Sequence, residues 1–168
     1  MTARDSIHRL LAGGDRAIGG TVYGTVLALA TLTAGAAAKQ SPRELLGLVA
    51  TTSAVIWVAH VYAHGLGESI QRGHRLDGAE LRSIARQELP ILLAAAAPTA
   101  TLVLGAIGLV EEKTDIWIAF GVGLAALAVQ GARYATVEQL GRLGTLTVVA
   151  ANLALGLVVV LLKVVVAH

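Results

Sequence analysis

Among its 168 residues the chain has no cysteine. Disulfides, thiolate metal sites, iron–sulfur clusters and cysteine nucleophiles are excluded together. Charge is scarce as well: 14% of the residues are Asp, Glu, Lys or Arg, against about 25% in an ordinary soluble domain. Lys and Arg outnumber Asp and Glu by only 13 to 11. The basic residues stand beside apolar runs, with no polybasic arm and no interleaved aromatics, so nucleic acid is not an expected partner. Also missing are a Gly-rich phosphate loop, a His-Glu-x-x-His pair and a Gly-x-Ser-x-Gly elbow, and no enzyme is expected.

What the chain has in abundance is apolar sequence. It is 55% hydrophobic with a mean hydropathy of +0.71, and several uncharged runs approach the roughly 20 residues that a helix needs to cross a bilayer. The expected fold is all-α: one polytopic membrane domain over residues 1–168, a bundle of five transmembrane helices. The spans fall at about residues 17–38, 45–66, 89–110, 116–132 and 145–167. Small residues recur at four-residue spacing in the first span (Gly20, Gly24, Ala28) and again at Gly121 and Ala125 in the fourth, stripes suited to close helix packing in lipid.

Punctuation supports these limits. Ser41-Pro42-Arg43-Glu44 is a capping box that opens the second helix, and Gly73 is its stop. Asp77-Gly78-Ala79-Glu80 is a second capping box. It opens a segment with Leu81, Ile84, Ala85 and Leu89 on one face and Glu80, Arg82, Arg86 and Gln87 on the other, an interfacial amphipathic helix between the second and third spans. Pro90 either starts the third span or kinks a continuous helix, and Pro98 is expected to bend that span. Glu111 to Asp115 reads as a short polar turn. Residues 1–16 form a basic lead-in, and an uncleaved first span is a better reading than a signal peptide because its apolar run is too long. Nine of the thirteen Lys and Arg residues fall on one side if the N-terminus is inside. The positive-inside rule then places the N-terminus in the cytoplasm and the C-terminus outside.

The candidate site lies at the end of the second span, where His60, His64 and Glu68 share a helix face at four-residue spacing. Two imidazoles at i, i+4 can chelate one divalent metal ion, with the carboxylate as a third ligand. The same three groups suit proton relay. The plainer alternative makes His60 and His64 interfacial residues alongside Trp57 and Tyr62. Glu88 either completes a cluster with His64 and Glu68 or pairs with Arg82 or Arg86, the surface pairing being the plainer reading. Glu68 is positioned to pair with Arg72. Asn152, deep in the last span, serves as glue between helices or as a pathway residue, and Lys163 snorkels outward. Tyr23, Gln130 and Tyr134 lie near the same end as the histidines.

Tyr23-Gly24-Thr25, the His60–Glu68 run and the Ala85–Pro90 run together resemble a group of small multi-pass membrane proteins of high-GC bacteria. The resemblance spans most of the chain and implies a membrane fold without an activity. Expected, then, is a homo-oligomer in a bacterial cytoplasmic membrane, with the lipid bilayer as its surroundings. It serves as a small cation or proton conduit lined by His60, His64, Glu68, Glu88 and Asn152. The alternative is a non-transporting adaptor or accessory subunit that docks a membrane protein partner.

Overall fold

A computed structural model describes the backbone of residues 3–166 and the side chains of residues 17–162. The lead-in arginines Arg4, Arg9 and Arg16 and the terminal Lys163 therefore lie outside the described side chains. The described residues form seven helices and no strand: α1 (Ala3–Ala37), α2 (Pro42–Arg72), α3 (Gly78–Gln87), α4 (Leu89–Ala94), α5 (Ala96–Ala106), α6 (Glu112–Val137) and α7 (Arg142–Val166). Four of them, α1, α2, α6 and α7, are long and apolar enough to cross a membrane. The α3–α4 segment and α5 pass the same test only together, as a pair bent by 45° that is either a broken span or a re-entrant loop, so the described residues hold four to five candidate spans.

Local chemistry accounts for the helix ends. Ser41 and Glu44 close the expected capping box, with the Ser41 amide donating to Glu44 Oε2 at 2.7 Å. Gly73 ends α2 in the left-handed conformation at φ 69°, where a side chain would be strained. Asp77 caps α3 by accepting from the amides of Ala79 and Glu80, and Glu80 returns a bond to the Asp77 amide at 2.8 Å. The amphipathic helix thus forms as expected. Its Ile84 is buried, and Trp57 Nε1 of α2 donates to the Ala85 carbonyl at 3.1 Å.

The third span is interrupted twice. Pro90 stands in the first turn of α4, so the chain breaks at Glu88 instead of running on as one helix. The second break is at Ala95, one turn before Pro98, whose ring nitrogen has no proton for the Ala94 carbonyl. The Ala95 amide closes a tighter turn onto Leu92 at 3.3 Å, which produces the expected bend. At the far end Arg43 Nε donates to the Ala106 carbonyl at 2.9 Å, tying the start of α2 to the end of α5.

The core lies where α1 packs among α2, α5, α6 and α7. Leu29, Leu32, Leu45, Leu102, Phe120 and Leu127 are all but fully buried there. The stripe of small residues in α1 packs within the chain. A methyl group on Gly24 would stand 2.8 Å from Ala94 Cβ and 3.0 Å from the Ile91 carbonyl carbon, and one on Gly20 would touch Pro90 at 3.4 Å. In the other stripe, Gly121 and Ala125 are exposed and a methyl group on Gly121 would meet nothing within 4 Å. Close packing in α6 falls instead on Gly123, against Leu29, and on Gly131, against Val148, Val149 and Asn152.

Candidate functional site

The end of the bundle where α2 gives way to α3 carries the three described histidines, His60, His64 and His74, among a cluster of charged side chains. Helix α2 carries His60, His64 and Glu68 down one face, and the turn at Gly73 sends α3 back across that face. The break before Pro90 then sets Glu88 against α2. His64 Nδ1 and Glu88 Oε1 lie 2.8 Å apart, with the side chains 35% and 19% exposed. The surface pairing of Glu88 with Arg82 or Arg86 therefore gives way to His64, because Glu88 ends α3 and turns inward while Arg82 and Arg86 are exposed.

Glu68 is drawn elsewhere. Its Oε1 accepts from Arg72 Nη2 at 2.6 Å and Nε at 2.8 Å, and Arg72 Nη1 reaches Glu80 Oε1 at 2.6 Å. The i, i+4 pair read from the sequence is present, with Glu80 added by the return of α3. A guanidinium forking between two carboxylates holds Glu68 away from the imidazoles. The expected three-ligand shell of His60, His64 and Glu68 is not assembled: among the described residues no three His, Asp or Glu side chains are grouped to hold a metal ion.

His60, one turn above His64, takes a separate position. Its Nδ1 lies 3.1 Å from the Ile56 carbonyl. A carbonyl only accepts, so Nδ1 carries the proton, and whenever the ring is neutral its lone pair is at Nε2. Its ring leans on Tyr23 of α1, centroids 5.0 Å apart and planes tilted by 52°.

Two hollows open beside these groups. One of about 350 Å³ is lined by His64, Glu68, Arg72, Glu80, Ser83, Ile84 and Gln87. The other, about 290 Å³, is lined by Gly19, Gly20, Tyr23, His60, Gln87, Glu88 and Ile91. The His64–Glu88 pair stands between them, each partner facing a different hollow. Asn152 lines neither hollow. It lines a larger groove of about 520 Å³ between α1, α6 and α7, with Tyr23, Tyr134 and six apolar or glycine neighbours. Its amide also packs on the bare backbone of Gly131, which fits the glue reading. Gln130, buried in α6, accepts from Arg133 at 3.2 Å.

Asp115 is the polar group that the sequence reading missed. The supposed polar turn at Glu111–Asp115 is the first turn of α6, and Asp115 is 0% exposed while Glu111, Glu112 and Lys113 face outward. Among the described residues neither of its carboxyl oxygens has a hydrogen-bond partner. The group fits only because Gly105 lacks a side chain, since a methyl group there would stand 2.6 Å from Asp115 Cγ. A signal was available: Asp115 is in register with Ala119, Gly123 and Leu127, which form the buried stripe of α6.

No known protein family, curated protein or solved structure matches the chain.

Proposed function

We propose that this protein is a bacterial cytoplasmic-membrane protein that passes protons or small cations as a homo-oligomer, with the His64–Glu88 pair as the titratable group at the cytoplasmic mouth. The observation that carries this reading is the 2.8 Å His64–Glu88 contact, set between two hollows at the end of a bundle of apolar helices. Held at Nδ1 by a carboxylate, His64 has one free nitrogen, and a proton taken up there converts a hydrogen bond into an ion pair. His60, with its own Nε2 lone pair, extends the same line one turn deeper along α2. Glu68 belongs to the Arg72 network and serves as scaffold, so this reading moves the working carboxylate from Glu68 to Glu88.

The test is flux into proteoliposomes holding a pH-sensitive dye, with a panel of monovalent and divalent cations outside. Wild type is compared with His64→Ala/Glu88→Gln and with Glu68→Gln at equal reconstitution. Flux that the double variant loses and Glu68→Gln keeps is the expected result. Wild-type flux no greater than that of empty liposomes for every ion overturns the conduit. The second reading, an accessory subunit docking a partner helix, rests on the exposed small face at Gly121 and Ala125, which the chain's own packing leaves uncovered.

A further inference from the structure

The groove between α1, α6 and α7 and the His60–Glu88 hollow open on either side of the same two residues, Gly19 and Tyr23. The groove is mostly apolar, with Asn152 on its α7 wall and Tyr134 on its α6 wall. On α1 it runs from Ile18 to Val26, and on α7 from Val148 to Leu155, which at 1.5 Å per residue is about 10–12 Å of helix. Its lower end holds the polar groups. Tyr23 lines both spaces, and beyond it lie the His60 imidazole and the Glu88 carboxylate. Gly19, the divider, bears no side chain, and a methyl group there would meet nothing within 4 Å. Nothing on that glycine separates the two spaces.

The levels along the bundle match the polarity. Gly19 lies two residues into the uncharged run that follows Asp15 and Arg16 in the sequence. The polar end is therefore at the membrane boundary, and the apolar end, at Val26 and Leu155, points toward the bilayer centre. A lipid-soluble amphiphile has the same disposition. The polar end also selects among heads. His60 Nε2, when the ring is neutral, and the Glu88 carboxylate accept, while the Tyr23 hydroxyl and the Gln87 amide accept or donate. No cationic side chain other than a protonated His60 lines the polar hollow, so an anionic head would face Glu88 without an Arg or Lys to receive it.

We infer that this continuous cleft binds a membrane-soluble lipophile with an uncharged, hydroxyl-bearing head, its chain between α1 and α7 and its hydroxyl on Tyr23, His60 and Glu88. A volume of about 520 Å³ for the groove alone falls inside the roughly 300–1,000 Å³ range of small-molecule sites. This site does not depend on ion passage, and the two are tested separately.

The experiment uses full-length protein in lipid nanodiscs with radiolabelled para-dodecylphenol, and with dodecane and dodecanoate as competitors. Saturable binding that neither competitor displaces is expected. Gly19→Phe fills the divider and abolishes it. Gly19→Ala leaves room and keeps it, while helical circular dichroism stays the same for all three proteins. Tyr23→Phe removes one hydrogen bond and weakens binding roughly two- to tenfold. Val148→Phe, on the opposite wall, weakens it independently of Gly19. Non-saturable partitioning equal to that of protein-free nanodiscs overturns the inference, and so does undiminished binding in Gly19→Phe. Displacement by dodecanoate as effective as by unlabelled phenol overturns the choice of head.

Discussion

Replacing Gly24 with alanine puts a methyl group where α1 crosses α4. It would lie 2.8 Å from Ala94 Cβ and 3.0 Å from the Ile91 carbonyl carbon, whereas carbon atoms rest at about 3.5–4.0 Å. The two helices must separate by roughly 1 Å to restore contact distance. Overpacking of that kind costs about 1–3 kcal/mol, and the better helix propensity of alanine returns about 0.8–1 kcal/mol. Gly19→Ala receives the same propensity gain with nothing to strike. The two substitutions, five residues apart on one helix, should therefore separate: Gly19→Ala neutral or stabilising, and Gly24→Ala less stable than Gly19→Ala by about 1–3 kcal/mol. In a chain of this length 1 kcal/mol corresponds to roughly 2–4 °C in midpoint, which thermal unfolding in nanodiscs resolves. There is a local consequence too. Helix α4 carries Glu88 at its start, so pushing it outward lengthens the 2.8 Å His64–Glu88 contact. Equal midpoints for the two variants would refute the close α1–α4 crossing.

Trp57→Phe keeps an aromatic ring against α3 but removes the donor to the Ala85 carbonyl. It should cost about 0.5–1.5 kcal/mol and raise hydrogen exchange within α3 more than within α7. Gly105→Ala drives a methyl group into the Asp115 carboxyl group and should cost about 1–3 kcal/mol. In an Asp115→Ala background the same change should cost little, so thermal midpoints of the four proteins should give a coupling energy of at least about 0.5 kcal/mol. Additive midpoints would mean that the two residues do not touch.

The parts of this structure legible in the sequence are those written in local chemistry. Ser41 and Glu44, Asp77 and Glu80, and the pair Glu68–Arg72 all bond within four residues of themselves, so spacing alone reveals them. The apolar runs likewise give the spans, because length and hydropathy are properties of one segment. The His64–Glu88 contact joins residues 24 apart. It depends on the angle at which α3 returns after Gly73, and no helical periodicity encodes that angle. The groove is less legible still, since its walls come from three helices and its defining residue, Gly19, contributes by having no side chain. Asp115 was hidden for a different reason: it was grouped with its charged neighbours by composition, although the helical register of α6 sets it among buried residues.

Both polar features at the α2–α3 end follow from helix interruption. A straight helix from Gly78 onward would carry Glu88 past α2 on whichever face its register dictates. Pro90 prevents this, because it cannot donate to the Arg86 carbonyl and its ring crowds that turn. The chain breaks at Glu88, whose amide still closes α3 onto Ile84 at 3.0 Å while its carbonyl accepts from Ile91 at 3.0 Å. With its backbone bonded on both sides, Glu88 directs its carboxylate sideways, and His64 is the group that it meets there. Below the break, Arg72 draws Glu68 and Glu80 together and fixes the return of α3. One carboxylate is thereby retired into scaffold and another is delivered to the histidine. The division of labour between Glu68 and Glu88 is thus decided by where the helix breaks, and it makes the two residues distinguishable by experiment although helical spacing alone singles out Glu68.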